Sequence, residues 1–71
     1  MGKNELEKAI AIFKLNTEFY PESGNCYDSL GEAFMNSGDI KQAIINYKKS
    51  LELNPNNQNA TIMLKKLIAN E

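Results

Sequence analysis

No histidine and no arginine occur in this chain of 71 residues, and there is one cysteine, Cys26. Each absence closes a class of function. A single cysteine cannot form an internal disulfide, so the chain is not a disulfide-stapled secreted mini-protein. One thiol without an imidazole cannot build a thiolate–imidazole metal site, and a nucleophilic cysteine lacks its usual base. All eight basic residues are lysines, so the planar fork that grips phosphate with two parallel hydrogen bonds is missing. Basic excess is lacking too: eight cationic against nine acidic side chains give a formal net charge of −1. A dedicated nucleic-acid or membrane-surface binder would show a basic surplus. No apolar run approaches the roughly 20 residues of a membrane span, and the start of the chain has no signal-peptide core. These absences predict an intracellular, cytoplasmic helical piece without cofactor or metal.

What the chain does have is a period. A shift of 34 positions aligns Ala9 with Ala43, Ile10 with Ile44, Lys14 with Lys48 and Glu18 with Glu52. The same shift aligns Pro21 with Pro55, Asn25 with Asn59 and Leu30 with Leu64, and sets Phe13 on Tyr47. One register holds along the whole chain, the mark of a repeat architecture.

Helical signals agree with that period. Leu6, Ile10, Phe13 and Thr17 recur at spacings of three and four, one buried helical stripe. Pro21 stops this segment. Ser23 or Asn25 can cap the next helix, Ser23 being preferred, and its apolar side collects Tyr27, Leu30, Phe34 and Met35. Gly38 supplies the positive φ of a helix end. Asp39 opens a third helix, with Gln42 placed to complete a capping box, and Pro55 ends it. Asn57 can cap a last helix carrying Ala60, Met63, Leu64, Leu67 and Ile68. The spacing predicts four helices over 4–18, 24–37, 40–53 and 57–70, an all-α fold with no strand.

Tyr27-x2-Leu30-Gly31-x2-Phe34, followed by Ala43-x3-Tyr47 and Pro55, resembles the tetratricopeptide-repeat signature. Gly31 in mid-helix costs about 1 kcal/mol against alanine, a cost that makes sense where a neighbouring helix presses on its bare Cα. Ala43 would be the small residue opposite. Tyr27 stands for the usual tryptophan, Phe34 for tyrosine and Ser50 for a small alanine. The resemblance implies an α-solenoid piece of about four antiparallel helices forming a single domain over 1–71. Residues 4–23 would be the second helix of a preceding repeat, 24–57 a complete repeat and 58–71 a closing helix, polar at Lys65 and Lys66 as terminal caps require. It further implies the C-terminal end of a longer array, with Met1-Gly2 as an added start. The run from Tyr20 to Ala33 is similar to repeat tails that follow bacterial serine-hydrolase domains of the β-lactamase type, an analogy that would make the chain an appendage docking on such an enzyme.

Candidate sites follow from this reading. Catalysis is not expected: Asp28 and Glu32 share a helix face, but nothing flanks them to tune a general acid and base. Cys26, beside Tyr27 near a helix start, reads as a small core-facing residue. Lys48-Lys49 and Lys65-Lys66 lie near helix ends, where cations are favoured. By the resemblance, a concave groove would be lined by Asn25, Asp28, Ser29, Glu32, Met35 and Asn36, then Asn59, Ile62, Met63 and Lys66. Asparagines there can hydrogen-bond a peptide backbone and methionines adapt to varied apolar partners. Asp28 and Glu32 suit a basic or amphipathic protein segment rather than a terminal carboxylate. With so short a groove, the same residues also read as ordinary surface. A second partner is another copy of the chain, because Leu6, Ile10 and Phe13 would lie exposed where the first helix has no partner, and such patches mark interfaces. No nucleic acid and no membrane is expected as a partner.

Overall fold

The computed structural model describes residues 3–69, and Met1-Gly2 and the last two positions of the expected closing helix lie outside them. Four helices follow in order: α1 (Lys3–Phe19), α2 (Gly24–Ser37), α3 (Ile40–Leu53) and α4 (Gln58–Ala69), with no strand among the described residues. Each helix packs on the next, α1 on α2, α2 on α3 and α3 on α4. The result is an all-helical slab of 31 × 31 × 15 Å among the described residues.

Local chemistry sets the boundaries. Ser23 is extended and its hydroxyl accepts from the Cys26 amide at 3.4 Å, capping α2. Gly38 ends α2 at φ 88°, in the left-handed region. Its amide donates to the Met35 carbonyl and that of Asp39 to the Phe34 carbonyl, the paired bonds of a Schellman end. Asp39 accepts from the Gln42 amide at 3.2 Å. Only this half of the expected capping box forms as expected, because the Asp39 amide that Gln42 would have served is bonded to Phe34. Helix α1 runs on to Phe19, since the Tyr20 amide still donates to Asn16 and Pro21 acts only beyond that point.

The 34-residue period reappears bond by bond. Tyr20 donates to Asn16 and Ser23 to Tyr20 at 2.8 and 3.0 Å, and Asn54 donates to Ser50 and Asn57 to Asn54 at the same two distances. Asn57 caps α4 by accepting from the Ala60 amide, as Ser23 does from Cys26.

Leu30 and Phe34 of α2, Ala43, Ile44 and Tyr47 of α3, and Ala60, Leu64 and Leu67 of α4 form the buried cluster. Each large side chain fully withdrawn from water contributes about 1.5–3 kcal/mol. Gly31 has the close neighbour its position implies, but that neighbour is the Tyr47 ring rather than Ala43: a Cβ at Gly31 would sit 3.1 Å from the ring.

Helix α1 packs on α2 through half-buried Ile10 and Phe13 and through Lys14, whose ammonium lies 5.9 Å from the Phe34 ring centre. This corrects one expectation. Leu6, Ile10 and Phe13 are not an exposed patch, because α1 carries two apolar stripes and this one faces α2. The residues α1 leaves in solvent are Ile12, Leu15 and Phe19, 58, 50 and 69% exposed.

Candidate functional site

The helices expected to line a groove, α2 and α4, are joined by a polar latch. Asn57 at the start of α4 donates from Nδ2 to Asp28 Oδ2 at 2.7 Å and to Ser50 Oγ at 2.9 Å. Asn59 donates to both Asp28 oxygens at 3.1 and 3.3 Å. Ser50, fully buried, donates its hydroxyl to the Gly24 carbonyl at 2.8 Å. One connected set of bonds therefore ties the start of α2, the end of α3 and the start of α4. Every buried side-chain polar atom among the described residues has a partner, the condition under which such networks stabilise rather than cost.

The latch changes how the expected groove residues divide. Asp28 is half-buried and committed to two asparagines, and Asn59 is one of them. Met35 and Met63 are half-buried and pack on the core cluster. Ser29 is half-buried, whereas Asn25, Glu32, Asn36, Ile62 and Lys66 are exposed. Asn57 and Ser50 were not among the expected site residues. Their signal was available in the repeat: Asn57 falls on the cap position of Ser23, and Ser50 stands where a small alanine is usual.

Negative charge gathers on the α2 side of this face, while α4 brings Lys66 to it. Helix α2 holds Asp28 and Glu32 and no basic residue. Burial, reinforced by Asp28 and then Glu32, pushes the Tyr47 phenol up from 10.0 to about 12. The folded state thus favours the neutral phenol. The stabilisation is fully present below pH 10 and is lost as pH rises through 10 towards about 12, a loss of roughly 2–3 kcal/mol in all. Tyr47→Phe is expected to remove this alkaline decline, read as the difference in urea midpoint between the two proteins across that range. A decline of the same size in both would contradict it.

Among the described residues no group of three or more His, Cys, Asp or Glu could hold a metal ion, and Cys26 is a half-buried free thiol. The Lys49–Glu52 ion pair, 3.6 Å and exposed, is of the surface kind worth at most about 1 kcal/mol. No helix among the described residues is long and apolar enough to cross a membrane.

Residues 29–57, from the middle of α2 to the cap of α4, match the tetratricopeptide-repeat family, whose repeats mediate protein–protein interaction. The chain is also similar to the anaphase-promoting complex subunit CDC16 of Saccharomyces cerevisiae, 37% identical over 62 residues. That alignment covers 87% of this chain and 7% of the relative, so the chain spans a small part of that protein's length. Neither similarity is to a hydrolase.

Proposed function

We propose that the chain is a non-catalytic protein-interaction module whose concave face, built from α2 and α4, receives a basic or amphipathic peptide segment. In this reading residues 24–57 are the complete repeat, 4–23 the second helix of a preceding one and 58–71 a closing helix. The setting is the cytoplasm, where the Cys26 thiol stays reduced.

The observation that carries the reading is charge held on a rigid face. Helix α2 offers Asp28 and Glu32 with no basic residue, and the asparagine latch fixes α4 beside it. Asn25, Glu32 and Asn36 recur down one exposed side of α2 at spacings of seven and four. A cationic segment gains orientation and association rate from such a field, while Asn25 and Asn36 can bond its backbone. That CDC16 is a subunit of a multi-protein complex is in keeping with a contact role.

Glu32→Lys tests it. Glu32 is exposed, so the thermal transition is expected to stay in place. Affinity for a lysine-rich amphipathic peptide, measured by calorimetry, should fall about five- to tenfold at low salt and by less as salt rises. Unchanged affinity would remove Glu32 from the site, and a collapsed thermal transition would show that Glu32 supports the fold instead.

A further inference from the structure

We infer that the crevice between α1 and α3 is a second binding site, taking an extended acidic peptide segment that carries an apolar side chain. The crevice holds about 320 Å³. It is floored by Leu30 and Phe34 of α2 and walled by Lys14 and Glu18 of α1 and by Ile45 and Asn46 of α3, among others.

This crevice is internal to the stack of helices. Helix α3 is packed by α2 on one side and α4 on the other, yet its Ile45, Lys48 and Glu52 stay exposed. A shift of 34 positions sets Lys14 on Lys48 and Glu18 on Glu52. The α3 residues that meet α2 include Tyr47, against Gly31, and Ser50, bonded to Gly24. Their counterparts on α1 are Phe13 and Asn16. A further helix packed on α1 through those positions leaves Lys14 and Glu18 in solvent, as α2 leaves Lys48 and Glu52.

The crevice carries a polar group that the fold does not use. Asn46 is 7% exposed in the middle of α3, where asparagine is a poor helix former. Ile12 holds the same position in α1, so the repeat itself does not call for an amide. The Asn46 Nδ2 donates to the Gln42 carbonyl at 2.8 Å, while its Oδ1 accepts from no group among the described residues. Every fully buried side-chain polar atom there has a partner, so this oxygen opens to the crevice that Asn46 lines. A backbone N–H of a segment lying along the crevice is the donor it lacks.

Apolar surface and charge define the rest of the occupant. Ile45 is 56% exposed, and with Leu30 and Phe34 below it offers an apolar seat for one side chain. Helix α1 holds three lysines and three glutamates, whereas α3 holds three lysines and one glutamate. The two walls together are positive, and stay so with the capping Asp39 counted. Lys41, Ile45 and Lys48 recur at spacings of four and three along the exposed side of α3, while Lys49 is taken up by Glu52. Lys14 stands across the crevice, its ammonium over the Phe34 ring. Such a field draws carboxylates, the reverse of the field at Asp28 and Glu32.

This site does not rest on the concave-face reading, and the two take peptides of opposite charge. The experiment is an amide-shift titration of the labelled full chain with a glutamate-rich peptide bearing one central leucine, with calorimetry for affinity. Shifts are expected at Lys14, Gln42, Ile45 and Asn46, with Asn25, Glu32 and Asn36 unmoved. Asn46→Leu, which removes the amide at similar volume, and Lys41→Glu, on exposed surface, should each lower affinity about fivefold at low salt. Circular dichroism confirms that both variants are folded. Absence of saturable binding, shifts confined to α2 and α4, affinity unchanged in either folded variant, or capture by anionic phospholipid vesicles without peptide binding would overturn the inference.

Discussion

Leu30→Asp is expected to abolish the cooperative unfolding transition of the chain and most of its helical circular dichroism. Leu30 is 4% exposed and belongs to the cluster that joins α2 to α3 and α4. It also borders the crevice where Thr17 of α1 and Asn46 of α3 approach, so all four helices depend on the region it fills. Loss of the leucine removes about 1.5–3 kcal/mol of burial. A carboxylate left there without a partner costs several kcal/mol more, or takes up a proton at comparable expense. A domain of this size has about 4–10 kcal/mol of total stability, so the sum reaches the whole of it. Leu30→Met, which keeps volume and polarity, should cost under about 1.5 kcal/mol and serves as the control. A cooperative transition retained by Leu30→Asp would mean that the helices do not share one core.

Asn57→Ala is expected to lower stability by about 2–3 kcal/mol, read from the urea midpoint at constant slope. The side chain performs three tasks at once: it caps Ala60, donates to Asp28 and donates to Ser50. Loss of an N-cap costs about 1 kcal/mol. The bonds that Ser50 and Asp28 lose, although Asn59 still serves Asp28 and Ser50 still donates to Gly24, add about 1–2 kcal/mol. Asn57→Asp separates these contributions. It keeps the oxygen that accepts from Ala60 but sets a second carboxylate against Asp28, so it should destabilise about as much as alanine despite the intact cap. Asp28→Asn in that background should recover most of the loss, because the pair becomes amide and carboxylate again with the roles exchanged. A cost below about 0.5 kcal/mol for Asn57→Ala would reduce the latch to a surface contact.

The extent to which the sequence disclosed the fold follows from where its signals are local. Helices 24–37 and 40–53 are bounded by Ser23, Gly38 and Asp39, which act within three or four residues of themselves, and both were legible to the residue. The ends of α1 and α4 were less so. A proline stops a helix somewhere before itself without fixing the last residue, and Asn57, the cap as expected, stands just outside α4, which starts at Gln58 rather than at 57. Spacing named Leu6-Ile10-Phe13 as the buried stripe of α1, and Ile10 and Phe13 do pack on the core. It gave no sign of the second row, Ile12-Leu15-Phe19, which packing leaves in solvent.

The site was legible as a face but not as a set of bonds. The resemblance placed Asp28 with Glu32 on the expected groove. Its partners Asn57 and Asn59 lie 29 and 31 positions along the chain, beyond any local rule. Ser50 could be read only as a tolerable replacement for alanine, because the carbonyl it serves, that of Gly24, becomes its neighbour when α2 and α3 fold back on each other. The repeat supplied the register, and tertiary contact decided which polar groups were left to meet a partner.

The most direct measurement is an amide chemical-shift titration of the labelled chain with a lysine-rich amphipathic peptide. The largest shifts are expected at Asn25, Glu32 and Asn36 of α2 and at Ile62 and Lys66 of α4, with Lys41 and Lys48 of α3 undisturbed. Shifts concentrated on α3, or none at saturating peptide, would contradict it.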